Sequence, residues 1–405
     1  MITSRVIPDD AVLPQLSLVL DTQAMQRVFD QHLKISLGQN KINVLRCEIE
    51  RVKYRPKRNC IIGYKFSIAD TEGEHEQRLC VGIYTPDEAH ARHEKALRDA
   101  NIAVPNFAPV TLISSLSMVV WAFPNERKLT ALPLLIDAKQ LREKILPEIV
   151  QERWGEEWKI LNIINNISNY FPEHTCCVSV TLTVQHALSG ALRTWEIIGK
   201  TRDDDTGAET FRHMAALWGP ENPDVSYARP LAYQCEHRLL WQERVAGVTL
   251  SSLLASGDAD HALLTRIARS VAALHGTHII SSRRMTLNSL VDKLIAAKQT
   301  ISTARSGCAG ALRQVADTLA MRTRHLGPYQ DGTLHGDLHT NNILVSQTQI
   351  HLIDMDGISS GPPLADLGSF LAELIYRGCL NDEPLETMRP LLATVVEAYR
   401  QRATW

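Results

Sequence analysis

The chain has 405 residues, of which 44% are hydrophobic and 22% charged, and its formal net charge is −2 at pH 7. Such a composition is typical of a globular protein with a sizeable core, and the length allows two or three domains. The balanced charge does not favour a protein that binds nucleic acid or a membrane surface, so we expect neither partner. The N-terminal residues combine acids with a short apolar run. We therefore predict no signal peptide, no transmembrane span and a cytoplasmic location.

The eight cysteines are scattered without the C-x-x-C spacing that is typical of thiolate metal sites. Four of them, Cys60, Cys80, Cys176 and Cys177, lie in apolar runs that resemble strands. We interpret these thiols as reduced and buried, which is typical of reducing compartments. The cysteine pattern therefore predicts no metal–thiolate centre.

Strand-like segments dominate from about residue 47 to residue 242, and helical spacing dominates from residue 250 onward. The strand-like segments are rich in β-branched and aromatic residues and end in polar turns. They form two sets, CIIGYKFSI, LCVGIY and MVVWAF, then CCVSVTLTV, WEIIGK and RLLWQE. A β-rich part followed by an α-rich part predicts an α+β fold with two lobes.

The two sets of strands resemble each other, and a near-constant offset between them suggests a duplicated β-rich unit. The segment YRP at 54–56 precedes the first set, and YFP at 170–172 precedes the second, 116 positions later. Two further pairs have similar offsets, Gly82 with Gly199 (117) and Trp121 with Trp241 (120). The stretch Leu141–Trp158 is predicted to be a helical connector. The predicted domains are thus an N-terminal cap at 1–140, a β-rich lobe at 141–245 and an α-rich lobe at 246–405.

The segment LHGDLHTNNILV, at 334–345, concentrates polar side chains between apolar ends. A carboxylate at Asp337 can orient or deprotonate a hydroxyl group, and the amide oxygen of Asn342 is a hard ligand that suits Mg²⁺. Gly336 allows a close backbone turn before the aspartate. The Asp-x₄-Asn pattern taken alone also fits a polar turn between two strands.

A second polar segment, HLIDMDGISSGPPLADLGSF, begins at residue 351. Asp354 is expected to end an apolar strand and to lie at its carboxyl edge, where ligands are often bound. Strand alternation predicts that Asp356 points to the same side. Gly361 and Pro363 are expected to form a turn into a terminal helix. Asp366 then either caps that helix or bonds back to the first polar loop.

Three ordered motifs, HGDLHTNNIL, IDMD and GPPLADLG, resemble the aminoglycoside phosphotransferase and choline kinase group of the protein-kinase-like superfamily. The first two match the family pattern fully. The third ends in Gly368 instead of alanine. The resemblance is firmest over about residues 176–370. It implies a bilobal protein-kinase-like fold with a β-rich N-lobe and an α-rich C-lobe, here with an additional N-terminal unit resembling a duplicated N-lobe.

The resemblance also implies roles for single residues. Asp337 would be the catalytic base, and Asn342 and Asp354 would be the ligands of Mg²⁺. His335 and His339 would support the loop through hydrogen bonds, with Asp356 and Asp366 as further supporting residues.

On the nucleotide side, the resemblance implies that Lys200, at the end of an apolar strand, binds the phosphates. Its acidic partner on the next helix would be Glu209, since Asp203, Asp204 and Asp205 have the pattern of a solvated acidic turn. The linker between the lobes would offer backbone groups to the base, at Gln242, Glu243 and Arg244. The phosphate-covering loop would be Tyr170–Thr175, which has no glycine.

These features predict a small-molecule kinase that uses ATP or GTP with Mg²⁺ and transfers the γ-phosphoryl group to a hydroxyl of a sugar, aminoglycoside or amino alcohol. A protein kinase is disfavoured, because only twelve positions separate Asp354 from Asp366 and leave no room for a peptide-binding segment. The alternative from another class is a catalytically weak, kinase-like binding or scaffold protein. The first strand set has Ile83 where the second has Lys200, so we expect the N-terminal unit to be non-catalytic. The sequence specifies no oligomeric state.

Overall fold

The structure is a computed structural model that describes residues 10–37, 42–99, 102–219, 222–304, 306–326 and 329–403. These residues form two compact units. Unit 1 comprises the described residues up to Asp205 together with Gln234–Leu239, and unit 2 comprises those of Thr206–Tyr233 and of Leu240 onward. The predicted boundaries after residues 140 and 245 divide the chain differently and stay a prediction.

Unit 1 begins with an antiparallel five-stranded sheet of order β1-β2-β3-β5-β4. Its elements are α1 (Leu16–Val19), α2 (Thr22–Leu37), β1 (Asn43–Arg55), β2 (Asn59–Asp70), β3 (Gly73–Ile83), α3 (Pro86–Ala96), β4 (Val110–Ile113) and β5 (Met118–Ala122). Phe29 of α2 packs on Tyr64 and Phe66 on one face of β2. On the other face, α3 packs near Cys80 and Trp121. Because both faces are covered there, the first half of β2, the second half of β3 and all of β5 are continuously buried, whereas most of β1 is exposed or partly exposed.

Helical segments connect this sheet to the next strands, and they begin earlier than predicted. They are α4 (Leu132–Ile136), α5 (Ala138–Gln140), a π-helical turn (Leu141–Ile145) and α6 (Pro147–Trp154). The predicted connector Leu141–Trp158 was wrong at its end, since Trp158 starts a strand. The helix stops at Gly155, whose φ of +95° is a conformation that glycine adopts easily.

The second five-stranded sheet has the order β10-β11-β8-β7-β6. Its strands and the elements between them are β6 (Trp158–Phe171), β7 (Thr175–His186), β8 (Leu192–Arg202), α7 (Gly207–Trp218), β9 (Ser226–Tyr227), β10 (Pro230–Gln234) and β11 (Leu239–Glu243). Strands β6, β7 and β8 are antiparallel neighbours. Along β7, Val178, Val180 and Leu182 are buried, whereas the alternate side chains are partly exposed. This sheet therefore has one well-buried face.

The first hairpin turn of the first sheet is held by a carboxylate. Lys57, in the β1–β2 turn, has the left-handed φ of +58°. Its N–H donates to Oδ2 of Asp10 at 2.8 Å, and the Tyr54 hydroxyl donates to the same oxygen at 2.7 Å. We call this arrangement, one carboxylate oxygen accepting from a tyrosine hydroxyl and from a turn N–H, the carboxylate clamp.

The first hairpin turn of the second sheet has its own carboxylate clamp. Glu173, in the β6–β7 turn, has a φ of +56°. Its N–H and the Tyr170 hydroxyl both donate to Oε2 of Glu126, at 3.0 and 2.7 Å. In both clamps the carboxylate precedes the tyrosine by 44 residues and the turn residue by 47.

Unit 2 is mainly helical and carries two small sheets, β12-β14-β15-β9 and β13-β16. Its further elements are β12 (Val248–Thr249), α8 (Leu250–Ser256), α9 (His261–His275), α10 (Leu287–Ala304), α11 (Ala309–Arg324), β13 (Gly332–Leu334), β14 (Ile343–Val345), β15 (Ile350–Leu352), β16 (Ser359–Gly361), α12 (Leu364–Leu380) and α13 (Leu385–Arg402). Asp260 caps α9 by accepting the Leu263 N–H at 2.7 Å. Buried Ile267 and Val271 of α9 share one core with Val395 of α13.

The predicted buried thiols agree with the structure: Cys60, Cys80 and Cys176 are buried in strands, and Cys177 is partly buried. All eight cysteines are free. Among the described residues, no helix combines the length and the apolar character that crossing a bilayer requires.

Candidate active site

The polar loop at 335–342 lies between two short strands. It leaves β13, which pairs with β16 through Leu334 and Ser359, and it enters β14, which pairs with β15 through Ile343 and Leu352. Leu334, Ile343 and Leu352 are fully buried. The apolar ends of the motif therefore fix both ends of the loop, while the polar residues lie between them.

Two glycines bring this loop against the turn after β15. Gly336 has a φ of +79°, and a Cβ placed there would collide with the carbonyl oxygen of Gly357. A Cβ on Gly357 would lie 2.6 Å from the carbonyl oxygen of His335. Because the two backbones touch, neither position has room for a side chain.

Asp366 bonds back to the loop, which was one of its two expected roles. It is buried in the first turn of α12, whose N-cap is Pro363. Its Oδ2 accepts the His335 N–H at 2.5 Å, and its Oδ1 accepts the Gly336 N–H at 3.1 Å. Asp366 thus holds the backbone immediately before Asp337.

A buried chain of hydrogen bonds extends behind Asp366. Nε2 of His275 lies 3.3 Å from Oδ2 of Asp366, and Nδ1 of His275 lies 2.7 Å from the Tyr399 hydroxyl. Sequence reasoning missed both residues. For His275 the sequence contains one signal that could have identified it, a histidine on the otherwise apolar face of an amphipathic helix. For Tyr399 the sequence contains no such signal.

A second anchor ties the loop to α12. The N–H and the hydroxyl of Thr340 donate to the carboxylate of Glu373 at 2.6 and 2.7 Å. Arg377 donates to the same carboxylate at 2.9 Å and to the Ser251 hydroxyl at 2.8 Å. Burial alone would raise the pKa of Glu373, but the hydrogen bonds from Thr340 and Arg377 lower it overall.

The two histidines of the motif have different surroundings. His335 is fully buried, and its Nε2 lies 2.9 Å from the carbonyl oxygen of Ile353. His339 is half-buried, and its Nδ1 accepts the Asn341 N–H at 3.3 Å. Nε2 of His339 lies 3.7 Å from Oδ2 of Asp337, within range of an ion pair when the ring is protonated.

Asn342 and Asp337 are joined directly. Nδ2 of Asn342 donates to the backbone carbonyl of Asp337 at 3.0 Å, and Asn342 is buried. The backbone carbonyl of Asn342 accepts the Ile353 N–H at 3.0 Å. The Asp337 side chain, in contrast, is 68% exposed. The bond to Asp337 uses the side-chain nitrogen of Asn342 and fixes the orientation of the amide group. The side-chain oxygen can therefore serve as a ligand.

Asp354 lies two residues beyond the end of β15 rather than at the strand end, which corrects the expectation. Its φ of +63° begins a 3₁₀ turn, Met355–Gly357. Strand alternation therefore does not apply to Asp356, which lies inside this turn and whose carbonyl accepts a hydrogen bond from Arg283. The bond between Asn342 and Ile353 nevertheless holds the residue before Asp354 against Asn342.

The donor set fits a hard divalent cation. Asn342 and Asp354 offer one amide oxygen and one exposed carboxylate, the ligand types that Mg²⁺ prefers. Among the residues described, no group of three His, Cys, Asp or Glu side chains could hold a metal. Two protein oxygens suit Mg²⁺, which usually keeps waters and binds substrate phosphates.

Lys200 and Glu209, the two predicted charged residues of the nucleotide side, lie in different units. Lys200 is in β8, opposite Cys177, on the partly exposed face of the strand. Glu209 is in α7, and its Oε1 accepts the Ser282 N–H at 2.8 Å, while Nε of Arg283 lies 3.8 Å from its Oε2. Hydrogen bonds from Ser282 lower the pKa of Glu209. The pairing of Glu209 with Lys200 stays a prediction.

The predicted base-binding residues lie at the end of β11 and just beyond it. Gln242 and Glu243 belong to the strand, and Arg244 follows it. The N–H of Glu243 donates to the carbonyl oxygen of Arg229 at 2.9 Å, so that backbone donor is already used. Gly247, with a φ of +155°, crosses close to β14.

The acidic segment after β8 agrees with the sequence-based interpretation at Asp205, whose side chain is 80% exposed, but not at Asp203, whose side chain is only 19% exposed and is paired. Asp203 lies 3.1 Å from Lys128 and 3.0 Å from the ring of His174. The next two aspartates each accept a hydrogen bond from an arginine of unit 1. These pairs are Asp204 with Arg202 (3.1 Å) and Asp205 with Arg238 (2.6 Å).

Comparisons with known proteins point to one family. The model of the phosphotransferase enzyme family (APH) matches residues 202–402. No curated protein matches the chain.

The similar solved structures include the following three. Macrolide 2′-phosphotransferase MphH from Brachybacterium faecium is 14% identical, with 64% of this chain and 82% of that chain covered and a TM-score of 0.39. Aminoglycoside phosphotransferase APH(3″)-Id from Streptomyces rimosus is 15% identical, with 64% and 90% covered and a TM-score of 0.38. A choline/ethanolamine kinase family protein from Mesorhizobium loti is 16% identical, with 54% and 65% covered and a TM-score of 0.37. From the match to the family model, the part of the chain at 202–402 belongs to the phosphotransferase enzyme family.

Proposed function

We propose that this protein is a small-molecule kinase that transfers the γ-phosphoryl group of ATP or GTP to a hydroxyl group. One observation carries the proposal. Asp337, Asn342 and Asp354 belong to two loops that hydrogen bonds and two glycines hold in contact. A carboxylate base and two oxygen ligands in one place are the parts that phosphoryl transfer needs.

In this proposal Asp337 accepts the proton of the acceptor hydroxyl and orients its oxygen. Asn342 and Asp354 hold Mg²⁺, which when bound neutralises the charge on the phosphates. Lys200 binds the phosphates, with Glu209 as its proposed acidic partner. The remaining residues support the loop: His335 and Asp366 fix its backbone, and His339 lies beside the base.

The backbone groups of Gln242, Glu243 and Arg244 are proposed to bind the base, with Glu243 acting through its carbonyl because its N–H is bonded to Arg229. We propose a sugar, aminoglycoside or amino alcohol as acceptor. The short stretch between Asp354 and Asp366, which holds one 3₁₀ turn and β16, supports a small molecule rather than a peptide. A cytoplasmic location stays a prediction.

The test is release of ADP or GDP from Mg-ATP or Mg-GTP in the presence of pooled sugars, aminoglycosides and amino alcohols. We expect release that depends on one pool and falls at least about 100-fold in Asp337→Asn, because loss of a general base typically costs that much. Asp317→Asn, an exposed aspartate of α11, is the matched control. Wild-type protein that transfers to no pool and shows no thermal shift with Mg-nucleotide would instead favour a kinase-like binding or scaffold protein.

We further propose that the N-terminal region is a non-catalytic duplicate of the N-lobe. The two five-stranded sheets have the same strand order, and in each a helix separates the third strand from the fourth. In each, a 3₁₀ turn and a residue with left-handed φ separate the fourth strand from the fifth; these residues are Ser117 and Arg238.

The carboxylate clamps support the same proposal. Asp10 and Glu126 are 116 residues apart, the same offset as the tyrosines that they bind, Tyr54 and Tyr170. Matching contacts at matching separations are not expected of unrelated segments. The proposed copies therefore begin near residues 10 and 126, so the second begins before the predicted boundary at 141.

The strand registers explain why the first copy lacks the lysine. With the clamps superimposed, Ile61 corresponds to Cys177; Cys177 lies opposite Lys200, and Ile61 lies opposite Gly82. Gly82, rather than the Ile83 inferred from sequence, thus takes the place of Lys200. A Cβ on Gly82 would collide with the ring of Tyr84. The first copy therefore has no room for a lysine at this place.

A further inference from the structure

The β6–β7 turn occupies the place of a phosphate-covering loop, but its backbone donors are already used. Pro172 has no N–H. The N–H of Glu173 donates to Glu126, and the N–H of His174 donates to the carbonyl oxygen of Phe171 at 3.0 Å. Phosphate-covering loops usually bind phosphate through free backbone N–H groups. This turn has none between residues 172 and 174, so phosphate binding depends more heavily on Lys200.

The end of the strand that carries Lys200 is fixed to this same turn. The N–H of Asp203 donates to the carbonyl oxygen of His174 at 3.0 Å. The carboxylate of Asp203 also lies 3.0 Å from the ring of His174 and 3.1 Å from Nζ of Lys128. A shift of the turn would therefore move Asp203, which directly follows β8 and lies three residues beyond Lys200.

The turn is itself fixed by an ion pair. Nε and Nη2 of Arg127 donate to the two carboxylate oxygens of Glu173 at 2.5 and 2.6 Å. The Glu173 side chain is only 4% exposed. Paired bonds between a guanidinium and a buried carboxylate are among the strongest and most directional polar contacts in proteins.

The first copy has the clamp but not the ion pair. At the offset of 116, Ala11 corresponds to Arg127, and Lys57 corresponds to Glu173. The first copy, which has no lysine at the position of Lys200, thus also lacks the counterparts of Arg127 and Glu173. An ion pair needed only for folding of the hairpin would be equally useful in both copies.

We propose that Arg127 and Glu173 are positioning residues for phosphoryl transfer, because they hold the β6–β7 turn and, through Asp203, the orientation of Lys200 toward the nucleotide phosphates. This inference rests on the proposed function, and it adds two residues that lie upstream of the segment matched to the family. Neither residue touches the reacting atoms in this scheme. They act through the strand that carries Lys200.

The test compares Arg127→Gln and Glu173→Gln with Asp10→Asn, which weakens the clamp of the first copy. We expect the KM for Mg-nucleotide to rise about tenfold in the first two variants, a size typical of a displaced binding group, with kcat changed less. Asp10→Asn should lower thermal stability but leave this KM unchanged. Arg127→Lys, which keeps the charge but loses the paired geometry, should recover part of the loss.

Equal KM values in wild type, Arg127→Gln and Glu173→Gln would overturn the inference, as would an equal rise in Asp10→Asn. If Arg127→Gln does not fold, Glu173→Gln with calorimetric binding of a non-hydrolysable Mg-nucleotide gives the same comparison. Wild-type protein that binds no Mg-nucleotide would reject the proposed function. Wild-type binding that both variants retain in full would reject only the positioning role.

Discussion

At the scale of single residues, the polar loop at 335–342 depends on positions that cannot carry a side chain. Gly336→Ala would place a methyl group against Gly357 and force a left-handed φ on alanine. We expect a loss of roughly 3 kcal/mol in the free energy of unfolding and loss of transfer activity, because backbone strain and a steric clash add. Chemical denaturation measures the change in the free energy of unfolding. The nucleotide-release assay, on separate folded samples, measures the change in transfer activity.

The control for this change is a glycine in open space. Gly368 lies on the exposed side of α12, and a Cβ there meets nothing within 4 Å. Gly368→Ala should therefore raise the free energy of unfolding by about 0.5–1 kcal/mol, the gain usual for alanine over glycine in a helix. A stability loss in Gly368→Ala similar to that in Gly336→Ala would contradict the steric explanation.

Glu373 predicts a dependence on pH. Its pKa is lowered in the folded protein, so its contribution to stability is full above the ordinary glutamate pKa of about 4.3 and is lost as the pH falls through the lower folded value. Glu373→Gln should lower the free energy of unfolding by about 1–3 kcal/mol at pH 7, since Thr340 and Arg377 lose a charged acceptor.

The difference between wild type and Glu373→Gln should shrink as the pH falls below about 4, because the carboxylate is protonated first in the unfolded chain and only at lower pH in the folded protein. Urea titrations at several pH values measure this. Glu386→Gln, an exposed acid in the first turn of α13, serves as the control and should change little at any pH. A constant difference for Glu373→Gln between pH 7 and pH 3.5 would show that ionisation of Glu373 is not involved.

At the scale of elements, a hydrogen-bond chain through His275 connects the packing of α9 on α13 to the polar loop at 335–342. Tyr399→Phe removes the hydroxyl that lies 2.7 Å from Nδ1 of His275 and leaves that buried nitrogen without its partner. We expect a loss of about 1–3 kcal/mol in stability, which is the usual cost of an unsatisfied buried polar group. Tyr376→Phe, at an exposed position of α12, should cost almost nothing.

Hydrogen exchange can locate the effect. In Tyr399→Phe the amides of His335 and Gly336, which bond to Asp366, should exchange faster than in wild type, because Asp366 loses a fixed neighbour in His275. Unchanged exchange at both amides would mean that the buried chain of hydrogen bonds does not reach the loop.

The elements also show what a sequence can predict. Motif residues such as Asp337, Asn342 and Asp354 are close in sequence within short loops, and local spacing was enough to bring them together. The strand expected up to Asp354 ended at Leu352 instead, because the tight contact of Gly357 with the loop requires a left-handed turn there. Periodicity carries no information about such a turn.

Long-range partners were missed for a different reason. Tyr399 meets His275 across 124 residues, and Glu126 meets Tyr170 across 44. No local pattern marks either contact, since each residue alone has the character of an ordinary helix or loop position. The surroundings of Asp203 were misread in the same way, because its partner Lys128 lies 75 residues away.

At the scale of the whole molecule, the two similar sheets predict one nucleotide site rather than two. Only the second sheet carries Lys200, and under the proposed duplication the corresponding position in the first is Gly82, where Tyr84 leaves no room for a side chain. Calorimetry should therefore give one Mg-nucleotide per chain, and Lys200→Met should abolish the nucleotide-dependent rise in melting temperature. Lys65→Met, on β2 of the first sheet, is the control that should keep it.

A stoichiometry of two, or a nucleotide-dependent rise that survives in Lys200→Met, would contradict this assignment. Either result would also indicate that the first sheet can bind nucleotide. One site that is lost in Lys200→Met would leave the N-terminal region with a structural role. It forms part of the same compact unit as β6, β7 and β8.

The contact between Gly336 and Gly357 also makes the two positions genetically interdependent. Each glycine is required because of the backbone opposite it, so once one alanine has forced the loops apart, a second alanine meets much less resistance. The two losses should then be strongly non-additive in a double-mutant cycle. Active variants selected after random mutagenesis should therefore retain both glycines, although 21 positions separate them in the chain.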